Sequence, residues 1–171
     1  EKLMHLQKVL NLNETPDVIE CFDISHLSGT NIVASMVQFR NAKPDKANYR
    51  RFKIKTVQQN DDFASMREVV RRRYTKLKLN NEPMPNLILI DGGIGQLNSA
   101  IEALDAIGLK IPIISLAKEF EEIYVPGKSQ PIKLKHKDKG RLLLQYIRDE
   151  AHRFAITYNR LLRKKERFTR S

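Results

Sequence analysis

Residues 87–91, with the sequence LILID, restrict the fold of this chain more than any other stretch. Four consecutive apolar residues leave no polar face, which is typical of a strand buried on both sides of a sheet. A second such run, IPIISLA at 111–117, follows a segment with helical spacing. Strand, helix and strand in this order predict a right-handed parallel crossover, so we expect an α/β chain with one core and helices flanking its sheet.

The first third of the chain predicts an antiparallel part of the same sheet. Strands are expected at 18–25, 32–40 and 49–57, where β-branched residues or alternating apolar and basic residues occur. The connections between them are short, which favours an antiparallel meander. The predicted fold is therefore a mixed β-sheet, an antiparallel meander plus parallel strands, flanked by helices.

Two further helices and a hairpin complete the predicted elements. One helix opens after the letters QQNDD, where Asn60, Asp61 or Asp62 can cap it. The other runs from about Asp138 towards the basic end of the chain, and a hairpin is expected around Gly127. The apolar stripe of the first of these helices comprises Phe63, Met66, Val70 and Tyr74.

Composition excludes several classes of protein. Hydrophobic residues make up 41% of the 171 residues, enough for one domain with a real core, and no apolar run approaches the ~20 residues of a membrane span. Cys21 is the only cysteine, which excludes an internal disulfide and a multi-cysteine zinc site and fits a reducing cytosol. We therefore expect a cytoplasmic protein, not one of a membrane.

The charge and the ends of the chain suggest what surrounds it. A net charge of +11 favours a polyanionic partner such as DNA, RNA or an acidic protein surface, with solubility as the simpler explanation. The chain starts with neither Met nor a signal peptide, so we expect a piece of a longer protein. We expect an extension or linker at 1–17, one domain at 18–165 and a frayed basic tail at 166–171.

Two acidic residues stand at the ends of predicted strands. Asp23 lies within IECFDISH near the end of the first strand, and Asp91 closes LILID. Sites in open α/β sheets are built at strand ends, and two carboxylates brought together repel unless a cation intervenes. Mg²⁺ or Mn²⁺ would resolve that repulsion with carboxylate and water oxygens as ligands. Each acid taken alone is explained equally well as a cap, turn or salt-bridge residue.

A histidine on the last helix is the third candidate. His152 lies near the border of the apolar stripe, and Asp149 and Arg148 share its face at helical spacing. An imidazole that faces the two acids can serve as a metal ligand or a proton carrier, whereas a partly buried structural histidine is the alternative. We expect His26 to support Asp23 and Asp149 to support His152, neither of them as a metal ligand.

A glycine-rich turn and dispersed basic residues are the candidates for phosphate contact. The letters DGGIGQ at 91–96 place backbone N–H groups at a helix start, which can bind phosphate, although a tight turn is the alternative. They match neither G-x-G-x-x-G nor a P-loop. The candidate phosphate or DNA contacts are Gly92, Gly93, Gly95, Gln96, Lys118, Arg50, Arg51 and Arg148.

Three segments, ECFDISHLSG, LILIDGGIGQL and IRDEAHRFA, resemble signature blocks of the C-terminal nuclease half of the UvrC family. YRRFKI and DDFASMREVVRRRY resemble the segments between them, so the resemblance extends over about 18–165. It implies a ribonuclease-H-like fold in which Asp23 and Asp91 are catalytic carboxylates and His152 replaces an acid. Asp62 matches a further acid implicated in some members, and a helix cap explains it equally well.

The resemblance also implies an activity. The family makes two incisions in damaged DNA during bacterial nucleotide excision repair, and this half makes the cut on the 5′ side of the lesion. It acts on damaged double-stranded DNA presented by UvrB, with Mg²⁺ or Mn²⁺, by attack of water on a phosphodiester. The chain does not include the GIY-YIG nuclease that makes the 3′ cut, the UvrB-interacting segment or the helix-hairpin-helix pair, so DNA binding is expected to need other parts. We expect a monomer.

Two other functions remain open at this point. A non-catalytic nucleic-acid-binding module of the same fold would need the basic surface but no metal. A phosphate-binding metabolic enzyme would use the DGGIGQ turn. Neither explains two strand-end acids together with His152 as well as a metal-dependent nuclease does.

Overall fold

The structure, a computed structural model, describes residues 1–26, 31–55, 61–119 and 121–169. Its strands are β1 (Val18–His26), β2 (Ile32–Arg40), β3 (Lys43–Pro44), β4 (Arg50–Lys53), β5 (Leu87–Asp91), β6 (Ile113–Ala117) and β7 (Glu122–Tyr124). Its helices are α1 (Lys2–Val9), α2 (Asp62–Leu79), α3 (Ile94–Ala106) and α4 (Lys139–Thr169). None of the helices in these ranges is both long and apolar enough to cross a membrane.

The strands form one mixed sheet, as the sequence predicts. Its order is β3-β2-β1-β5-β6-β7, and β4 also pairs with β2. The β1–β2 and β6–β7 pairs are antiparallel, whereas the β1–β5 and β5–β6 pairs are parallel. The parallel strands are connected through helices and the antiparallel ones through short links, which is the arrangement each kind of pairing requires.

The sheet separates two apolar layers because successive strand residues point to opposite faces. On one face, Phe22 and Ile90 pack with residues of α2 and α3. On the other, Cys21 and Leu89 pack with residues of α1 and α4. A residue's position along a central strand therefore decides which pair of helices it faces.

The predicted details need four corrections. Phe63 is 50% exposed, because it lies against Gly95 in the first turn of α3 and not over the sheet. Of the hairpin predicted around Gly127, only the first strand, β7, forms, and a single bridge joins Ile123 to Ile132. The other edge of β7 pairs with β6. The strand predicted to reach residue 57 ends at Lys53, and 56 and 57 lie outside the described residues. β3 was not predicted, since two residues carry no periodicity.

The predicted N-terminal extension contains α1. Leu3, Leu6 and Leu10 are buried, and α1 packs against α4. Their spacing of three and four residues is the pattern of an amphipathic helix. The division into an extension at 1–17 and a domain at 18–165 stays a prediction, to which the structure adds this packed helix.

A buried ionic network ties β1 to α2. Glu20 is 1% exposed and points to the α2 face, opposite to Asp23. Arg73 donates to it from NH2 at 2.7 Å, and the Tyr74 hydroxyl donates at 2.7 Å. Gln38 donates from Nε2 at 2.7 Å. Because a buried charge is tolerated only when it is paired and hydrogen-bonded, these groups depend on one another.

We predict that Glu20→Ala lowers the free energy of unfolding by about 3–5 kcal/mol, since it leaves Arg73 buried without its counter-ion. Urea denaturation followed by circular dichroism measures this loss. The matched control is Glu102→Ala, which removes a surface pair with Arg67 at 3.6 Å and is expected to cost less than about 1 kcal/mol. Equal losses for the two variants would contradict a stabilising role for the network.

Candidate active site

The parallel pairing of β1 and β5 places two acids side by side. The register aligns Phe22 with Ile90, so the next residues, Asp23 and Asp91, are neighbours where the pairing of the two strands ends. Asp91 is the last residue of β5, whereas β1 continues to His26. Both point to the face covered by α4, because Cys21 and Leu89, two residues earlier, lie in that layer. The structure therefore brings together the two strand-end acids that the sequence analysis pairs.

The neighbourhood of Asp91 changes the pKa of the Asp23 carboxyl group. Burial, the charge of Asp91 and a hydrogen bond between the two carboxyl groups raise the pKa of Asp23 to about 7. The positive charge of Lys118 and a hydrogen bond from Ser25 act in the opposite direction. Asp23 is 6% exposed, so water does little to relieve the repulsion. The ionised form of Asp23 is therefore destabilised, and a proton or a metal ion bound there would relieve the repulsion.

His152 reaches the same carboxylate from α4. Its Nδ1 lies 3.8 Å from Asp23 Oδ2, longer than a hydrogen bond, and its side chain is 52% exposed. Asp23 Oδ2 is buried and has no hydrogen-bond partner within the described ranges. The imidazole thus faces an acceptor atom that the protein leaves unsatisfied, and its open side faces solvent.

The residues present fit a divalent cation held mainly by carboxylates. Within the part of the chain that the structure describes, no three histidine, cysteine or acidic side chains are arranged to hold a metal ion by themselves. Mg²⁺ commonly uses only one or two protein carboxylates and takes water and phosphate oxygens for the rest. Asp23, with its unsatisfied Oδ2, and Asp91 would supply these two carboxylates. His152 lies 3.8 Å from Asp23 Oδ2 and could act as a further ligand.

The glycine-rich turn leaves the sheet directly beside this pair. Gly92 has φ of +152°, a conformation that favours glycine, and a Cβ there would lie 2.6 Å from Gln96 Cγ. Gly93 caps α3, whose first turn begins at Ile94 and includes Gly95. The backbone N–H groups at this helix start therefore lie next to Asp91, while Gln96 packs against the turn.

Lys118 is the cation that the structure places near the acids. It follows β6 two residues beyond Leu116, which pairs with Asp91, and its charge favours the ionised form of Asp23. Its side chain is exposed, so it can contact a ligand at the same time.

Arg148 is not available for the predicted contact with DNA. It is 9% exposed, and its NH1 donates to Glu121 Oε2 at 2.7 Å. Asp149, predicted to support His152, is instead 3.4 Å from Arg148 NH2 and is otherwise exposed. The helical spacing places these side chains on one face correctly, but Glu121, before β7, attracts the guanidinium.

His26 and Asp62 lie together and apart from the two paired acids. His26 is three residues beyond Asp23, so the alternation of the strand turns it to the opposite face, and it does not support Asp23 as predicted. Its Nε2 lies 2.5 Å from Asp62 Oδ1 at the start of α2. The helix cap is Asp61, whose Oδ1 accepts from the Ala64 N–H at 3.0 Å, so Asp62 is not the capping residue.

The two arginines of YRRFKI differ in their surroundings. Arg50 donates from NH1 to the carbonyl oxygens of Ala47 and Tyr49, at 3.1 and 2.9 Å. Arg51 stacks on two aromatic rings of α4. Both are exposed at the edge of the sheet and remain candidates for phosphate contact.

The chain matches the family described as "UvrC RNAse H endonuclease domain" over residues 7–156. The chain belongs to this UvrC family. It is 61% identical over 165 residues to the UvrABC system protein C of Methanosarcina acetivorans and 62% identical to that of Methanococcus maripaludis. Each alignment covers 96% of this chain but 32% and 31% of the relative. The chain thus spans about a third of the length of the curated relatives that it matches.

Solved structures with a similar fold are more distant. A Ciona intestinalis Endonuclease V bound to inosine-containing DNA is 16% identical, with a TM-score of 0.47 over 71% of this chain and 57% of that one. Thermus thermophilus RuvC is 12% identical, with a TM-score of 0.32 over 58% of this chain and 61% of that one. At these scores the likeness says nothing about the chemistry of the UvrC-family chain.

Two contributors to the UvrC-family site are absent from the sequence analysis. Ser25 hydrogen-bonds to Asp23, and its position two residues along the same strand is a signal that could have identified it. Glu121 neutralises Arg148, but no local pattern indicates a partner 27 residues away. Asp23, Asp91 and His152 could be predicted from the sequence because strand ends and helical spacing are clear local signals.

We predict that Asp23→Asn stabilises the metal-free chain increasingly as pH rises. The pKa of Asp23 is raised in the folded state, so ionising it costs stability from about pH 4 upwards, and the cost is complete above about pH 7. Asparagine cannot ionise. In EDTA, the advantage of the variant should therefore grow by about 2–3 kcal/mol between pH 5 and 8.

Urea denaturation at several pH values measures this difference. The matched control is Asp105→Asn, an exposed acid on α3, for which we expect no comparable trend. An advantage of Asp23→Asn that does not change with pH would contradict the raised pKa.

Proposed function

We propose that this chain is a divalent-metal-dependent DNA endonuclease that hydrolyses a phosphodiester at Asp23 and Asp91. The observation that carries the proposal is the adjacency of the two carboxylates, one of which has a buried oxygen without a hydrogen-bond partner in the described ranges. Membership of the UvrC RNase H endonuclease domain family supports it. A module that only binds nucleic acid would gain nothing from two repelling acids in its sheet.

Three side chains have separate roles in the proposed reaction. Asp23 and Asp91 hold a cation between β1 and β5, with His152 as an additional ligand or as the group that moves a proton. When bound, Mg²⁺ or Mn²⁺ would make water more acidic and neutralise the charge that develops on the phosphate. The exposed imidazole of His152 can accept the proton of the attacking water or donate one to the leaving oxygen.

The DNA backbone is held around this pair. Lys118 and the N–H groups of the turn from Gly92 to Gln96 flank the acids and are suited to the phosphates beside the cut. Arg50 and Arg51 extend the basic surface along the sheet edge. The net charge of +11 is consistent with such a partner.

The wider role follows from the family. We infer that the substrate is damaged double-stranded DNA, that the cut lies on the 5′ side of the lesion in nucleotide excision repair, and that UvrB presents the DNA. The relatives bear the name UvrABC system protein C, which supports a shared role. We also infer a cytoplasmic monomer, with contacts to UvrB made by parts of the relatives that this chain does not span.

We predict that Asp23→Asn and Asp91→Asn each slow the 5′ cut by at least about 10³-fold, since several kcal/mol of transition-state stabilisation depend on the cation. His152→Gln should slow it by about 10²–10⁴-fold. The chain is placed in the Methanosarcina acetivorans protein in exchange for the matching segment. Cutting of a duplex with one lesion is then measured with UvrA, UvrB and Mg²⁺.

Two controls accompany this experiment. Asp105→Asn removes an acid far from the site and should cut at the parent rate. The 3′ cut, made by the other nuclease half, should persist in every variant and shows that the complex has assembled. Survival of the 5′ cut in the Asp23 and Asp91 variants would overturn the proposed function.

A further inference from the structure

We propose that Arg51 is a preformed phosphate-binding group that holds the DNA backbone a few nucleotides from the cut. This inference deepens the proposed function and rests on it. The observations that carry it are the stacking of the guanidinium, its lack of an acidic partner in the described ranges and its alignment with Asp23.

Arg51 lies over two aromatic side chains of α4. Its Cζ lies 4.1 Å from the centre of the Phe154 ring and 4.8 Å from that of Tyr158. Stacking uses the flat faces of a guanidinium and leaves its N–H edge free for a bidentate contact with phosphate. The rings also fix the side chain, so binding costs little of the rotamer entropy that a free arginine loses.

No acid among the described side chains pairs with Arg51. Other arginines pair with acids: Arg73 with Glu20 at 2.7 Å and Arg148 with Glu121 at 2.7 Å. Among the side chains that the structure describes, which exclude those at 162, 166, 168 and 169, Arg51 shows no ion pair or hydrogen bond. An unpaired guanidinium fixed at the surface of a basic chain is a site for an anion.

Neighbouring residues hold the stack in place. Tyr49 packs edge-on against Phe154, with ring centres 5.0 Å apart. The Tyr49 hydroxyl donates to Glu150 Oε2 at 2.7 Å, and Arg153 Nε donates to Glu150 Oε1 at 2.6 Å. This chain of contacts connects the loop before β4 to α4, so Arg51 and His152 are positioned by the same helix.

The sheet register places Arg51 in line with the acids. Ser35 on β2 pairs with Asp23 on one side and with Arg51 on the other. Two strand spacings separate the Cα atoms of Asp23 and Arg51 by about 10 Å. A DNA strand rises about 3.4 Å per nucleotide along the duplex axis and its winding backbone covers more than that, so a backbone that crosses the acids would reach Arg51 within about three nucleotides.

The test uses the Methanosarcina acetivorans protein that carries this chain in exchange for its matching segment. Its binding to a short duplex is measured by fluorescence anisotropy in EDTA, across a series of salt concentrations. We expect Arg51→Gln to weaken binding about tenfold at 50 mM salt and to reduce the slope of log K against log salt by about 0.9, the value for one phosphate contact. Arg51→Lys keeps the charge and should lose less affinity. The matched control Lys110→Gln removes an exposed charge before β6, at the opposite edge of the sheet, and should keep the parent slope.

Two results would overturn the proposal: equal slopes for Arg51→Gln and Lys110→Gln, or equal affinities of Arg51→Gln and the parent protein at 50 mM salt. Near-ultraviolet circular dichroism shows whether the stack and fold persist in the variants, and Arg51→Lys provides the comparison if Arg51→Gln unfolds. The outcome is separate from that of the proposed function. Asp23→Asn tests cutting and should not weaken binding in EDTA, whereas Arg51→Gln should.

Discussion

The parallel pairing of β1 with β5 is the constraint on which the site depends. It aligns Phe22 with Ile90 and so makes Asp23 and Asp91 neighbours, although 68 positions separate them in the chain. A slip of one residue would turn one acid to the opposite face and leave it among the apolar residues under α2 and α3. The register is held by buried strands on both sides and by the two apolar layers.

The fold stabilises an arrangement that is itself unfavourable. Asp23 is buried beside another acid, and its raised pKa is a measure of that cost in the absence of a cation. The ionic network of Glu20 lies three residues earlier on the same strand and faces α2. β1 is thus held by an ionic network on one face, in which Glu20 is fully paired. The other face presents the buried Asp23 Oδ2, which has no hydrogen-bond partner in the described ranges. Such a combination is expected of a functional site.

A feature could be predicted from the sequence when it depends on neighbouring residues, and could not when it depends on a residue far away in the chain. Apolar runs and strand ends are local, so the mixed sheet and the pairing of Asp23 with Asp91 follow from them, and helical spacing adds His152. The positions of His26 and Arg148 depend on partners elsewhere in the chain, Asp62 and Glu121, and no local pattern reveals them. The spacing of Leu3 and Leu6 in α1 and of Leu10 directly after it is a local signal for that helix, which the sequence predictions do not include.

A crystal structure of the chain with Mn²⁺, located by anomalous scattering, tests the central claim most directly. We expect one manganese peak between β1 and β5, with carboxylate oxygens of both Asp23 and Asp91 at about 2.1 Å. His152 is expected either to complete the coordination or to face it through a water molecule. Manganese bound elsewhere, with the two carboxylates sharing only a proton, would contradict the account.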